Sequence, residues 1–591
     1  MTNFSRCLFF AAIGLMLVSG CNRSVPSGHP LPANPLITKS TPGRQGGRLV
    51  IAASASPKTF NPFSSADAAS ENIVRLTIGS LVNLDSVNSE PRPGLAEAWK
   101  VEPDQKTWTF KLRRGLRWSD GEPLTSDDVV FTWNQIVYNR QFNQLSFDVF
   151  QAGGKRFEIS RVDEVTLRVV TPEVFAPFLE FFGTVSILPK HTLETAVRAK
   201  VFPAAYGLQT SPKKIVGCGP FRLKEYQPGK FTLLERNPEY WAADQKGTRL
   251  PYFDEVLFTV GTEPGSDIRT FLSGKSDVCD LVRPEWVDQF KQASQKAHFE
   301  VLELGVGTER DFLWFNQNTG TNALGKPFVN PAHLKWFRNK KFRQAVSCAM
   351  DRERIAREVY QGRAQAIYGF LSTENQKWNN PNIPRYAYDL TRAKALLAEI
   401  GIQDRNGDGV LEDADGNPLE IQFYSNNDNL LRQRAALLIQ DDLRKIGIKL
   451  NFVPIDFRAL VERVNNTFDY ECALMGLGGG GFDPASQINV LKSSEDLHQW
   501  FPYQKQPSTE WETRIDALMD AQMRTLDFGQ RKKAFDEVQA ILGEEMPMIY
   551  TVSPLSYTAL RTGIGNVQPS VLTPYRSTWN LEELYFKPGA H

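Results

Sequence analysis

The sequence is short of the residue types that carry most hydrolytic and metal chemistry, with six histidines and six cysteines among 591 residues. The histidines (His29, His191, His298, His333, His498 and His591) are scattered and form no HExxH pair, which disfavours a zinc protease. No CxxC occurs, so there is no signature of a thioredoxin-like redox centre or a zinc ribbon. A GxSxG nucleophile elbow is also missing. Gly274-Lys275-Ser276 ends like a phosphate loop, but Arg269 stands where the first glycine belongs, and the cradle is lost. Gly476, Gly478 and Gly481 fit GxGxxG after the strand-like Cys472-Ala473-Leu474-Met475. Pro484 follows at once, however, and no second strand ends in an acid at the required distance, which argues against a dinucleotide site. Carboxylates are too numerous for a glycosidase pair to be chosen. An excess of one charge is absent too: 68 Lys plus Arg stand against 67 Asp plus Glu. That balance provides no basic stripe for nucleic acid. Enzyme readings have no support here.

Long apolar runs are missing except at the start. Arg6 precedes an apolar stretch from Leu8 to Val18. About a dozen apolar residues are too few to span a bilayer, which needs roughly 20. They fit the h-region of a secretory signal. Leu17-Val18-Ser19-Gly20-Cys21 resembles a bacterial lipobox, which implies that Cys21 becomes the lipidated first residue after cleavage of a leader at 1–20. The competing reading is a plain signal peptide with an incidental cysteine. Loss of the leader removes Arg6 and leaves 67 side chains of each sign. Residues 21–46 carry Pro26, Pro30, Pro32, Pro35 and Pro42 among Ser, Gly and Asn, a composition expected of an extended tether between lipid and a folded body from Gly47. Beyond Cys7 and Cys21, the widely spaced Cys218, Cys279, Cys348 and Cys472 leave two readings open, one or two disulfides or buried free thiols.

What is present is ample core material. Hydrophobic residues make up 41%, charged residues 23% and aromatics 11%, which excludes wholesale disorder. At roughly 150 residues per domain the length allows about four domain-sized units. Short strands alternate with amphipathic helices, and no repeat of 20–50 residues is visible, so the pattern predicts an α/β fold rather than a solenoid or propeller. Arg48-Leu49-Val50-Ile51-Ala52 reads as a strand. Thr125 with Asp128 predicts a capping box and a helix start. Ala393, Leu396, Leu397 and Ile400 lie at helical spacing before Gly401, and Ala436, Ile439, Leu443 and Ile446 before Gly447; each glycine predicts a C-terminal stop. Ile448, Leu450 and Phe452 then alternate with polar residues, as in a strand with one wet face.

One metal motif survives inspection. In Asp404-Arg405-Asn406-Gly407-Asp408-Gly409-Val410, oxygen side chains occupy loop positions 1, 3 and 5, with glycine at 6 for the sharp turn. The carbonyl of Val410 would serve at position 7, and Asp415 falls at position 12, where an EF-hand uses a bidentate Glu. Calcium in a structural role is one reading. The other is a solvated Asp/Asn/Gly turn. No other cofactor is called for.

Three blocks carry a family resemblance. Gly94-Leu95-Ala96-Glu97-Ala98-Trp99 leads through Trp108-Thr109-Phe110 and Trp118-Ser119-Asp120-Gly121 to Pro123-Leu124-Thr125-Ser126-Asp127-Asp128-Val129. Val216-Gly217-Cys218-Gly219-Pro220-Phe221 runs on to Arg236-Asn237-Pro238-Glu239-Tyr240-Trp241, and Phe342-Arg343-Gln344-Ala345 to Met350-Asp351-Arg352 and Tyr360-Gln361-Gly362. Together, over about 48–580, they resemble the family 5 solute-binding proteins of ATP-driven (ABC) importers, the peptide- and nickel-binding type. The resemblance implies an α/β, two-lobed periplasmic-binding-protein clamshell that does no chemistry itself. Lobe I would combine 47–310 with 552–591, including an extra subdomain over 76–214, and lobe II would be 311–551, with hinge crossings near 311 and 551.

The same resemblance implies capture of an oligopeptide or related solute, delivery to the permease of an ABC transporter, a lipid-anchored extracytoplasmic location and a monomeric state. By analogy, ligand contacts would come from Phe60 and Asn61, from Asn316, from Tyr424 and Asn426, and from the loop containing Gly478, Gly480 and Asp483, with Trp500 lining an enlarged cavity. Asp483-Pro484 matches an Asp-Pro pair of the family. The acid that in some members precedes this pair and holds a peptide amino terminus is replaced by Gly478-Gly479-Gly480-Gly481. A buried ammonium without a partner is costly, so this loss favours a blocked peptide, an oligosaccharide or another neutral ligand unless a second acid substitutes. A lipoprotein that captures a partner without feeding a permease is the alternative of a different class.

Overall fold

The computed structural model describes residues 29–589 other than 66, 144–149, 262, 264 and 479–482. The predicted tether lies outside the described residues up to 28, Cys21 included, but from 29 to 46 it is docked on the folded body rather than extended from it: Leu36–Ile37 pair in parallel with Ala242–Ala243, and Thr38 N donates to Ala243 O at 3.0 Å. Among those described, no helix is long and apolar enough to cross a membrane.

The first sheet starts with β1 (Arg48–Ala53), whose Leu49 and Ile51 are buried while Arg48 pairs outward with Glu255. An antiparallel subdomain follows, made of β2 (Ala96–Val101), β3 (Thr107–Leu112), β4 (Glu158–Arg161) and β5 (Thr166–Val170) in the order β2-β3-β5-β4. Its α1 (Ser126–Phe131) opens on the predicted capping box, with the Thr125 side chain accepting from Asp127 N and Asp128 accepting from Thr125 N at 2.9 Å. A short helix, α2 (Phe178–Phe181), supplies Phe178 to stack on Trp108 at 4.7 Å, and Phe182 just after it stacks on Trp133 at 4.4 Å. Offset stacking of this kind adds to the area that each ring buries. The aromatic wealth of the sequence is used mainly in such cores.

The chain then returns to the first sheet through β6 (Phe221–Gln227), β7 (Phe231–Arg236), β8 (Glu255–Val260), β9 (Val278–Cys279) and β10 (Phe299–Val306). β8 and β9 flank β1 in parallel, whereas β6, β7 and β8 join antiparallel.

A second body begins with β11 (Arg310–Phe315). α3 (Leu390–Glu399) ends two residues before Gly401 at φ +79°, and α4 (Leu430–Arg444) three before Gly447 at φ +82°, as predicted from the two glycines. β12 (Glu420–Asn426), β13 (Lys449–Ile455), β14 (Cys472–Leu477) and β15 (Ile549–Tyr550) complete a sheet ordered β13-β12-β14-β11-β15. α5 (Glu510–Met523) and α6 (Phe528–Glu545) pack on each other. The last long strand, β16 (Val552–Arg561), rejoins the first sheet between β9 and β10.

The main chain therefore crosses between the sheets at 307–309 and again at Thr551. The crossings lie side by side: Thr551 N donates to Asp311 O at 2.9 Å, Gly307 N to Pro554 O at 2.9 Å, and Ser553 Oγ to Glu309 O at 2.6 Å. Cys218, Cys279, Cys348 and Cys472 are buried free thiols, which resolves the open choice against disulfides. Burial pushes the Cys218 and Cys279 thiols up to about 12, so both stay protonated at neutral pH.

Candidate functional site: the seam between the two bodies

Besides the crossings, the subdomain of the first body touches the second body again. Ala176 N donates to Met523 O at 2.8 Å, and Met523 and Leu526 pack on the subdomain core. Lys377 reaches Glu90 at 2.9 Å, and Arg524 faces Glu173 at 3.7 Å. At the centre, Asp483 N donates to Oε1 of half-buried Glu180 at 3.3 Å, a contact between residues 303 apart in sequence.

Asp483 is fixed from its own side by local structure. It caps the short helix Pro484–Gln487, its Oδ1 accepting from Ala485 N at 2.9 Å, and the same oxygen accepts from Arg531 Nη2 at 2.6 Å. The Arg531 guanidinium also donates to Gln522 Oε1 at 2.8 Å and lies 5.0 Å from the Trp378 ring. Both members of this ion pair are buried. Burial, then the neighbouring Asp483 charge, push the Glu180 carboxyl up to about 8, with Arg531 and Lys377 acting in the opposite sense. Glu180, Arg531 and Lys377 carry no motif and went unnoticed in the sequence. Only topology brings them together.

The residues expected to touch a ligand fall into three groups. Four of them are interior and engaged within the protein. Phe60 is 1% exposed and packs edge-on to Tyr226 at 5.4 Å. Asn61 donates to Phe202 O and Ala205 O, both at 3.0 Å, and accepts from Phe63 N at 2.9 Å, which uses both amide protons and one lone pair of the oxygen. Asn316 does the same, donating to Phe468 O and Tyr470 O and accepting from Asn318 N. Trp500 is fully buried, 3.9 Å from the His498 ring, and donates to Glu512 Oε1 at 2.9 Å instead of lining a cavity. Glu512 explains this attraction inward. It also accepts from His498, Gln504, Ser508 and Thr509, and despite burial these donors hold its carboxyl down at about 2.

The second group lies at the ends of two strands of the second body. Tyr424 is half-buried beneath the Arg463 guanidinium at 5.1 Å. Asn426 is buried: it donates to Asp428 and accepts from Arg432 Nη1 at 2.8 Å, while Arg432 Nη2 binds Asp311 at 2.7 Å, so it orders the end of β12 beside the crossing. Gly478 is exposed at the end of β14. The third group is Asp483, which does reach the seam but is paired with Arg531. Gly480 lies outside the described residues.

A separate cavity of 770 Å³ opens within the first body, lined among others by Arg75, Asp85, Trp241, Trp579 and Glu582. No second-body residue lines it, so a molecule held there would not distinguish an open from a closed clamp.

Among known proteins, the chain is 28% identical over 566 residues to a probable ABC transporter-binding protein of Deinococcus radiodurans, covering 90% of this chain and 91% of that protein. It is 26% identical over 549 residues to the oligopeptide-binding protein AppA of Bacillus subtilis, covering 91% and 92%. Among solved structures, the periplasmic binding protein MelB of Agrobacterium fabrum, in complex with stachyose, superposes with a TM-score of 0.72 at 20% identity, covering 95% of this chain and 88% of that one. The shared fold is the two-lobed α/β clamshell of periplasmic binding proteins, which bind solutes and are not enzymes. The model of the bacterial extracellular solute-binding proteins, family 5, matches residues 90–499, which shows that this chain is a member of that family.

Proposed function

We propose that the chain captures an oligopeptide or a related solute between its two bodies and presents it to the permease of an ABC importer, held at the extracytoplasmic face of the membrane by lipid on Cys21. The observation that carries this reading is the pairing of two adjacent crossings with a separate, non-covalent contact seam between the same two bodies. Bodies joined by two crossings and held by a breakable contact seam can trap a ligand between them, and the ligand favours the closed state by its differential affinity for it. In this reading lobe I comprises 47–310 and 552–591, lobe II comprises 311–551, and the subdomain over 76–214 supplies the latch.

A non-peptide solute is the second reading, and one contact favours it. The carboxylate of Asp483 is already neutralised by Arg531 at 2.6 Å, so a peptide ammonium would have to displace a buried guanidinium to use it. The similarity to a stachyose complex points the same way. Native mass spectrometry of the soluble body beginning after Cys21, followed by denaturation, separates the readings. A spread of released peptide masses supports peptide capture, and a single non-peptide mass reassigns the solute. Failure of any solute to bind across a ligand library would overturn the proposal.

A further inference from the structure

The loop joining α3 to β12 brings together three carboxylates that the sequence motif only partly foretold. Asp404, Asp408 and Glu412 each place an oxygen within 4.8 Å of the other two. An ion about 2.3–2.6 Å from each ligand oxygen sets those oxygens at most ~5 Å apart, so the spacing fits one calcium shell.

Asp415, at position 12 of the motif, is not part of the cluster, and its expected role is corrected. The chain folds back before reaching it: Asp413 Oδ1 accepts from Asp415 N and Asn417 N, both at 2.9 Å, around Gly416 at φ +80°. That turn swings Asp415 outward, 3.8 Å from Lys335. Glu412, at position 9, takes its place. A Glu side chain is long enough to reach the loop centre directly from there.

Glu412 also supplies an independent reason to expect a cation. Its residue is 5% exposed, and although Oε2 accepts from Arg405 N at 2.8 Å, buried Oε1 has no hydrogen-bond partner. The nearby Arg405 guanidinium does not satisfy it, because its Nε and Nη2 donate to the carbonyls of Asp413 and Gly401. A buried carboxylate oxygen without a donor is costly. Here it belongs to a group of three acids, and a hard divalent cation would satisfy all of them at once.

We propose that Asp404, Asp408 and Glu412 form a calcium site, with the Asn406 side chain and the Val410 carbonyl, in the same turn, completing the oxygen shell. Asp404 is already oriented by Gly407 N at 2.6 Å and Gly409 N at 3.1 Å. The loop is docked on the turn between α4 and β13, where Leu411 N donates to Gly447 O at 2.8 Å. A Cβ at position 447 would come within 2.6 Å of the Leu411 side chain, so glycine is needed there for the approach as well as for its φ. Bound calcium would thus pin the first residues of β12, the strand whose far end carries Tyr424 and Asn426.

The test is isothermal titration of the full chain, stripped with chelator, against calcium and magnesium, with thermal melts in parallel. One calcium per chain is expected, held at least tenfold tighter than magnesium. Asp404→Asn and Glu412→Gln should each weaken calcium at least tenfold, while Asp415→Asn leaves it unchanged. Because the metal-free parent buries a carboxylate oxygen that has no hydrogen-bond partner, Glu412→Gln should melt no lower than the parent in chelator and gain nothing from calcium. No calcium binding at millimolar concentration, or retention of full affinity in Glu412→Gln, would overturn the site. Loss of binding in Asp415→Asn would restore the ordinary twelve-residue geometry against the one argued here.

Discussion

Glu180→Gln isolates the latch between the two bodies. The substitution keeps an oxygen to accept the Asp483 N–H and removes the titration. In the closed arrangement the Glu180 carboxyl is raised from its ordinary 4.5 to about 8, by burial first and by the Asp483 charge second. The other groups facing it are Arg531 and Lys377, which lower it, with Lys377 shared by Glu90. When the bodies separate, water returns and the carboxyl relaxes toward its ordinary value. Closing therefore takes up a proton. For a carboxyl whose pKa rises on closing, the penalty is absent below about pH 4.5, grows through the window up to about 8, and levels off once the closed form ionises as well.

One linked proton changes the closing free energy by at most ~1.4 kcal/mol per pH unit, or tenfold in the closing equilibrium. Salt and the partial exposure of the seam reduce that ceiling. Because the four described cysteines are buried, dyes can be placed selectively on Val201→Cys in the first body and Leu437→Cys in the second, both exposed positions. Energy transfer between them, read from pH 5 to 8 with a solute identified by the mass-spectrometry experiment added at a fixed concentration, should show closure weakening as pH rises. Glu180→Gln should flatten the profile. Parallel profiles for parent and variant, or tighter closure at high pH, would refute the reasoning.

Two further outcomes are expected. Glu512→Gln should destabilise the chain by about 3 kcal/mol at pH 7, because a carboxyl lowered from 4.5 to about 2 contributes stability above its unfolded value that is lost as pH falls; urea melts should show the gap from the parent narrowing between pH 5 and pH 3, and a constant gap would contradict the assignment. Arg531→Met leaves the buried Asp483 carboxylate without its cation and should cost about 3–5 kcal/mol, much of it recovered by adding Asp483→Asn. Simple additivity of those two changes in a double-mutant cycle would show that the pair is not coupled.

The sequence by itself determined whatever closes within a few residues. The Thr125–Asp128 box, the stops at Gly401 and Gly447, and the turn of Asp404 onto Gly407 and Gly409 are formed by hydrogen bonds spanning two to five positions, so the order of residues contains them. The α/β alternation and the family blocks were equally legible. Tertiary structure alone decided which polar groups are already engaged. Asn61 and Asn316 looked free to receive a ligand, but backbone carbonyls 141 to 154 residues away take their amides. Trp500 is drawn inward by Glu512, Asp483 is claimed by Arg531, and Glu180 meets Asp483 across 303 residues. Even the choice of Glu412 over Asp415 rests on a fold-back at Asp413 that leaves the later acid pointing at Lys335. A side chain's chemistry is fixed by its identity, but its availability depends on partners that only the folded chain brings within reach.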